Sequence, residues 1–174
     1  METERPKEFL RHVEWTIPTD IEQIDLYEDE LEKILSDLGW GAETAYQCKL
    51  GFREGVMNAI VHGNLGLVRE ESNNFDQKIL EAQEAPEAKT KTVRVAGDVT
   101  REKIYLTIQD QGGEKSKKLA EAFLARDPTS DSQLLKKSGR GGFLMQDAFG
   151  KEGVRYSVND TGVKLTLEKS KETS

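Results

Sequence analysis

The chain contains very little cysteine and histidine for its 174 residues. Its single cysteine, Cys48, excludes an intramolecular disulfide and any metal site built from a cluster of cysteines. Its two histidines, His12 and His62, are too few for a histidine-rich metal centre. Because Cys48 lies among apolar neighbours, we expect it to be a small buried hydrophobic residue.

Long apolar runs and an excess of positive charge are also missing. No apolar stretch approaches membrane-spanning length, and the charged first residues lack a signal-peptide core, so we expect a cytoplasmic protein that contacts no membrane. The formal net charge of −7 argues against direct nucleic-acid binding, because phosphate contacts need clustered Lys and Arg. It does not exclude a phosphorylated small ligand, which local amides, a cation or a metal can hold.

The stretch at 51–64, GFREGVMNAIVHGN, has apolar side chains at helical spacing and is predicted to be a helix with one buried side. Glu54, Asn58 and His62 follow one another at i, i+4 spacing and therefore share one face. Such a polar triplet is either a reactive edge or an ordinary solvated face, and the helix alone does not decide. We expect the helix to end at Gly63, because glycine readily adopts a positive φ after the last turn.

The remaining pattern predicts one α+β domain. Before the central helix, which starts near Ala42, lie a strand at 12–18 and an acidic helix that Thr19 or Asp20 caps and that runs to about residue 38. After the central helix and a polar connection at 65–91, we predict these elements in order: strands 91–98 and 103–110, helix 115–125, a polar segment 126–137, a helix from Phe143, and strands 154–158 and 163–168. This order favours a two-layer α/β sandwich with a mixed, mostly antiparallel sheet and helices on one face.

Two glycine-rich turns stand out against this background. The strand at 103–110 ends in Asp110-Gln111-Gly112-Gly113, a carboxylate followed by a flexible turn. The sequence SGRGG at 138–142 opens an apolar helix, and free backbone N–H groups at such a helix start suit a phosphate. Taken alone, the second turn is equally well explained as a plain loop before a core helix.

Three motifs in this order resemble those of the GHKL ATPase superfamily. Glu54-x-x-x-Asn58-x-x-x-His62-Gly63-Asn64 resembles the N box, Asp110-x-Gly112 the first glycine box, and the stretch from Gly139 to Met145 the second. The chain looks most like anti-sigma factor serine/threonine kinases of bacterial partner-switching systems. The resemblance covers roughly residues 12–169, which leaves 1–11 as an N-terminal extension and 170–174 as a tail.

The resemblance implies a role for each matching residue. Asn58 would hold the Mg²⁺ that bridges the phosphates of ATP, and Glu54 would act as general base on the attacking hydroxyl. Asp110 would accept a hydrogen bond from the adenine amine, with Gly112 allowing close approach of the base, while His62 would support the site. The phosphates would be wrapped by Gly139, Arg140, Gly141 and Gly142. The segment 126–137 would form a lid over ATP.

The chain departs from the family pattern at several points. Glu114 stands where the first glycine box usually has its last glycine, with Gly113 displaced by one position. Val163 and Lys164 stand where the last strand often carries a threonine that helps to hold adenine. In addition, the connection at 65–91 is long and the first helix is acidic, whereas partner-switching kinases often use basic contacts there.

These features lead to one main hypothesis and two alternatives. The main one is an ATP- and Mg²⁺-dependent kinase that phosphorylates a STAS-type anti-anti-sigma protein and holds a sigma factor when that antagonist is phosphorylated; a homodimer is compatible with the resemblance. The first alternative is a nucleotide-binding interaction module of the same fold without kinase activity, which Glu114 and the missing threonine favour. The second is the ATPase domain of a histidine kinase, which would lack its dimerising helical hairpin here.

Overall fold

The computed structural model describes residues 10–68, 74–126 and 140–171. Its strands are β1 (Leu10–Pro18), β2 (Thr92–Thr100), β3 (Lys103–Gln109), β4 (Val154–Asn159) and β5 (Gly162–Ser170). Its helices are α1 (Ile24–Asp37), α2 (Ala42–Asn58), α3 (Phe75–Gln83), α4 (Pro86–Lys89), α5 (Gly113–Arg126) and α6 (Arg140–Phe149). A 3₁₀ turn at Ile21–Gln23 precedes α1, and a π-helical turn at Ala59–Asn64 continues α2.

Within the described residues, the strands form one open sheet in the order β1-β2-β3-β5-β4, and each neighbouring pair is antiparallel. Alternate side chains of the strands point to one face and are buried there, among them Ile17, Val95, Leu106 and Leu167. The same hydrophobic core contains Leu31 of α1, Phe52 of α2 and Met145 of α6. The predicted two-layer α+β sandwich is therefore confirmed, with a sheet that is antiparallel throughout rather than mixed.

Several element boundaries differ from the prediction. The connection at 84–91 was expected to be a loop, but Pro86–Lys89 forms a short helix with proline at its first position, where the missing N–H costs nothing. Of the two predicted caps, Asp20 is the one that caps the first helical turn, since its Oδ1 accepts from the Glu22 N–H at 3.0 Å. Thr19 instead donates its hydroxyl to the Lys91 carbonyl at 2.6 Å, which ties the end of β1 to the start of β2.

Two glycines of α2 bring this helix close to its neighbours. A Cβ atom at Gly51 would lie 3.0 Å from Phe149 Cε2 and 3.1 Å from Ala148 Cβ of α6. One turn later, a Cβ atom at Gly55 would lie 2.8 Å from Leu165 Cδ2 of β5, with Met145 of α6 at 3.7 Å. As α2 advances, its contacts thus move towards the start of α6, so the two helices run antiparallel. This packing directs the start of α6 towards the end of α2, where Asn58 lies.

Two cations of α2 partly neutralise the acidic helix α1. Arg53 Nη1 contacts Asp25 Oδ1 at 2.6 Å and Glu28 Oε1 at 2.9 Å. Lys49 Nζ pairs one turn earlier with Asp29 at 2.9 Å and Glu32 at 3.4 Å. Burial raises the pKa of Glu28, whose second oxygen has no hydrogen-bond partner within the described residues. The ion pairs with Asp25 and Glu28 hold the Arg53 side chain against α1, even though Arg53 directly precedes Glu54 in the sequence.

Cys48 is fully buried in the core, as predicted. Burial raises the pKa of its thiol to about 11, so the reactive thiolate is scarce at neutral pH. The side chain therefore acts as a small hydrophobic residue of α2.

Part of the sequence-based interpretation falls outside the described residues. This applies to Gly139 and to nearly all of the predicted lid at 126–137. Only its first residue, Arg126, is described, as the last residue of α5. In the parts of the chain that the structure describes, no helix has the length and apolarity to cross a bilayer.

Candidate functional site

Glu54 and Asn58 occupy successive turns near the end of α2, and both side chains are half-buried. Gly55 and Val56 lie between them in the sequence and are buried against the sheet. Glu54 and Asn58 therefore project from the side of the helix and stay partly exposed. The i, i+4 spacing that predicts a common face for Glu54 and Asn58 holds up to the end of the α-helix at Asn58. A carboxylate and an amide are thus presented along one edge of the helix.

The helix does not stop at Asn58 but widens into a π-helical turn over Ala59–Asn64. Its wider hydrogen bonding is seen where Leu65 N donates to Ile60 O at 2.8 Å and Leu67 N donates to Val61 O at 2.9 Å. We predicted that the helix ends at Gly63 because this glycine adopts a positive φ. That reason is wrong, because the residue with a positive φ in this region is Gly66, at 64°. π-helical turns within helices are frequent at functional sites.

Gly63 is needed for a different reason, namely the close approach of the π-helical turn to Asp110 at the end of β3. A Cβ atom at Gly63 would overlap Oδ2 of Asp110 and lie 2.6 Å from its Cβ. A Cβ atom at Gly112 would in turn overlap the Gly63 carbonyl oxygen and lie 2.9 Å from the carbonyl carbon. The N-box helix and the Asp110 turn are therefore in direct backbone contact.

The carboxylate of Asp110 is buried and accepts several hydrogen bonds. Its Oδ1 accepts from the Gly112 N–H at 3.0 Å and from the Val163 N–H at 3.2 Å. The Ser116 hydroxyl lies 3.0 Å from Oδ2 and 3.2 Å from Oδ1. Burial raises the pKa of Asp110, while these hydrogen bonds and the charge of Lys91 oppose the rise. The carboxylate is held rigidly, with its backbone N–H also bonded to Val163 O at 3.1 Å.

Asn64 joins three segments that are distant in sequence. Its Nδ2 donates to Thr19 Oγ1 and to Thr92 O, both at 3.0 Å. Its Oδ1 accepts from the Gln111 N–H at 2.7 Å, directly after Asp110. Since only 5% of Asn64 is exposed, these bonds replace water for the whole amide. Asn64 thereby fixes the turn that carries Asp110 against the N-box helix.

We expect Asn64→Ala to lower the free energy of unfolding by about 2 to 3 kcal/mol, because it removes all three hydrogen bonds of a buried amide that joins Thr19, Thr92 and Gln111. Urea denaturation followed by circular dichroism measures the change. The control is Gln77→Ala, which removes an exposed helix amide and should cost less than about 0.5 kcal/mol. Equal losses in the two variants would contradict the fixing role of Asn64.

His62 turns towards the chain that follows the π-helical turn. Its Nδ1 lies 2.6 Å from the carbonyl oxygen of Leu67, and because a carbonyl can only accept, Nδ1 donates. The ring thus braces residues 62–67, and its role beside a nucleotide stays a prediction.

The second glycine motif begins a helix rather than a loop. Arg140, Gly141 and Gly142 form the first turn of α6, which the prediction started at Phe143. The N–H groups of a first helical turn have no partner within the helix and can bind an anion. The earlier start of α6 is therefore compatible with the predicted phosphate binding at this motif. The antiparallel packing of α2 and α6 brings this turn towards Asn58.

The comparison with protein families agrees with this geometry. A sequence model of the histidine kinase-like ATPase domain matches residues 17–169 of the chain. The chain belongs to this family. The family is part of the GHKL superfamily, whose fold the sheet and helices described above share. A comparison with individually curated proteins gives no match.

The donor groups of this ATPase domain fit a magnesium ion that arrives with a nucleotide. Within the described residues, no three His, Cys, Asp or Glu side chains lie together as a metal cage would require. Mg²⁺ keeps several waters and is bound in nucleotide sites by one or two protein oxygens plus substrate phosphates. The amide oxygen of Asn58, at the end of α2, is a donor of the kind that such a site would use.

Sequence reasoning missed Ser116, whose hydroxyl contacts the carboxylate of Asp110. Because the glycine after Gly112 is displaced to Gly113, α5 starts immediately, and its first turn carries Ser116 back onto Asp110. The sequence signal was present as a hydroxyl residue six positions after the motif aspartate. In the last strand, where the chain lacks the threonine of the family pattern, the Val163 N–H donates to the Asp110 carboxylate.

Proposed function

We propose that this ATPase domain is an ATP- and Mg²⁺-dependent serine/threonine protein kinase of the anti-sigma-factor type. Its substrate is a STAS-type anti-anti-sigma protein, and it holds a sigma factor while that antagonist is phosphorylated. The observation that carries the proposal is the pairing of Glu54 and Asn58 on one edge of α2, the helix that packs antiparallel to α6. A carboxylate one helical turn before that amide is placed to take a proton from an attacking hydroxyl.

The chemistry follows from these positions. Asp110 accepts a hydrogen bond from the amine of adenine, which sets the base at the end of β3. The N–H groups at the start of α6 and the Asn58 amide then orient the phosphates, and Mg²⁺, when bound, neutralises their charge. Glu54 takes the proton of the substrate hydroxyl as that oxygen bonds to the terminal phosphorus and the bond to ADP breaks. The family assignment supports ATP use, and the choice of a protein serine or threonine is part of the proposal.

A second candidate function is a nucleotide-dependent interaction module without transfer activity. Glu114 favours it, because this carboxylate in the first turn of α5 replaces the last glycine of the family motif and repels the negative charge of a nucleotide. In such a module, ATP would select one partner-binding conformation over another without being consumed.

We expect Mg²⁺-ATP at one hundred times its dissociation constant to stabilise the protein by about 2.7 kcal/mol, which raises the melting temperature by roughly 5 to 10 °C. Mg²⁺-GTP is the matched control and should give a smaller shift, because guanine presents an oxygen to Asp110 where adenine presents an amine. Purified STAS-type proteins from the same cell are then incubated with the chain and terminally labelled ATP.

Label on a serine or threonine of one STAS-type protein supports the kinase. A thermal shift without label on any of them favours the interaction module. Without a shift at millimolar ATP, both candidate functions are wrong.

A further inference from the structure

Asp110 and Ser116 form a closed pair at the position where the family recognises a base. Both residues are only 3% exposed. The single proton of the Ser116 hydroxyl is shared between Oδ2 at 3.0 Å and Oδ1 at 3.2 Å. A hydroxyl that donates to a carboxylate makes a charge-assisted hydrogen bond, which is stronger than one between neutral groups.

The surroundings leave the carboxylate no route to a ligand amine in this conformation. Oδ1 already accepts from the N–H groups of Gly112 and Val163. Oδ2 is covered on one side by Gly63 and on the other by Ser116. An incoming amine must therefore displace one of these two neighbours before it reaches Asp110.

Of the two, Gly63 is the more firmly fixed. It lies in the π-helical turn between Ile60, whose carbonyl bonds Leu65 N at 2.8 Å, and Asn64, whose side chain makes three buried bonds. Ser116 lies in the first turn of α5, where its N–H reaches the Gly112 carbonyl only at 3.4 Å. That turn starts at Gly113, which has a φ of 61°, an N–H bonded to Thr161 O at 2.8 Å, and nothing within 4 Å of the place where a Cβ would lie.

We propose that Ser116 sets the nucleotide affinity of this protein by competing with the adenine amine for Asp110. The inference rests on the proposed nucleotide site and deepens it. Nucleotide binding breaks the Ser116–Asp110 hydrogen bond and lifts the first turn of α5, with the Gly112–Gly113 backbone as the hinge. The hydroxyl then passes to solvent, and the amine of the base takes its place on Oδ2.

The test compares dissociation constants for Mg²⁺-ADP, measured by calorimetry on the full chain. Removing the competing hydroxyl in Ser116→Ala should tighten Mg²⁺-ADP binding by about tenfold, since one charge-assisted bond no longer has to be broken. Ser157→Ala removes an exposed serine hydroxyl of β4 and should leave the affinity unchanged. If Ser116→Ala does not fold, Ser116→Cys keeps the volume with a weak S–H donor and should tighten binding by a smaller factor.

Hydrogen exchange gives a second readout on the unaltered protein. The amides that follow Ser116 in α5 should exchange faster when Mg²⁺-ADP is bound, while those of β3 and β5 become slower. Weaker or unchanged binding by Ser116→Ala, or protection of α5 by the nucleotide, would overturn the competition and make Ser116 a helper that orients Asp110. If wild type and variants all fail to bind ADP and ATP, the nucleotide site itself is wrong, which separates that failure from a failure of the Ser116 mechanism.

Discussion

Gly63→Ala is expected to abolish nucleotide binding and to lower the free energy of unfolding by about 3 kcal/mol. The added Cβ would overlap Oδ2 of Asp110 and also lie 2.5 Å from its Cγ and 2.6 Å from its Cβ. Rotation of the carboxylate cannot relieve a contact with Cβ, so the backbone of either β3 or the π-helical turn must move. Any such movement breaks the hydrogen bonds that position Asp110.

The two effects are measured separately, by urea denaturation and by calorimetry with Mg²⁺-ATP. The matched control is Gly41→Ala, because a Cβ atom there has nothing within 4 Å and the φ of Gly41 is −58°, which alanine adopts without strain. Its cost should stay below about 1 kcal/mol, since no side-chain cap is lost. A Gly63→Ala protein with the stability and affinity of the wild type would show that the contact between the N-box helix and Asp110 is dispensable.

The fold was readable from the sequence because its signals are local. Alternation of apolar residues along β2 and β3 and the apolar spacing of α2 reflect burial on one face of each element. The short helix at Pro86–Lys89 was missed for a related reason. It has one turn and few apolar residues, so no periodicity develops, and only the proline at its first position marks it.

The candidate site was readable only in part because its geometry is long-range. The positions of Glu54 and Asn58 follow from helix spacing alone. The bonds of Asn64 to Thr19 and Thr92 join residues 45 and 28 positions apart, and no local pattern encodes them. Gly63 shows best what the sequence leaves out. The sequence correctly marks this position as special but suggests a positive φ, whereas in the structure a glycine is needed because there is no room for a side chain beside Asp110.

The largest expected effect on the chemical step is that of Glu54→Gln, which should reduce phosphoryl transfer by at least about one hundredfold, the typical contribution of a general base. Glutamine keeps the size and the half-buried position of the side chain, but it cannot accept the proton of the attacking hydroxyl. Mg²⁺-ATP binding should remain within about twofold of the wild type, because Asp110, Asn58 and the start of α6 are unchanged. Labelled phosphate on the STAS-type protein and calorimetry with Mg²⁺-ATP measure the two quantities.

The matched control is Glu43→Gln, which makes the same chemical change at an exposed position in the first turn of the same helix. It should leave both transfer and binding unaltered. If Glu54→Gln keeps Mg²⁺-ATP binding but loses transfer, Glu54 acts in proton removal and not in nucleotide binding. An interaction module has no transfer activity, so it would not show this difference. Transfer at the wild-type rate in this variant would remove Glu54 from the chemistry, and the kinase would then need a base from its substrate or from another part of the chain.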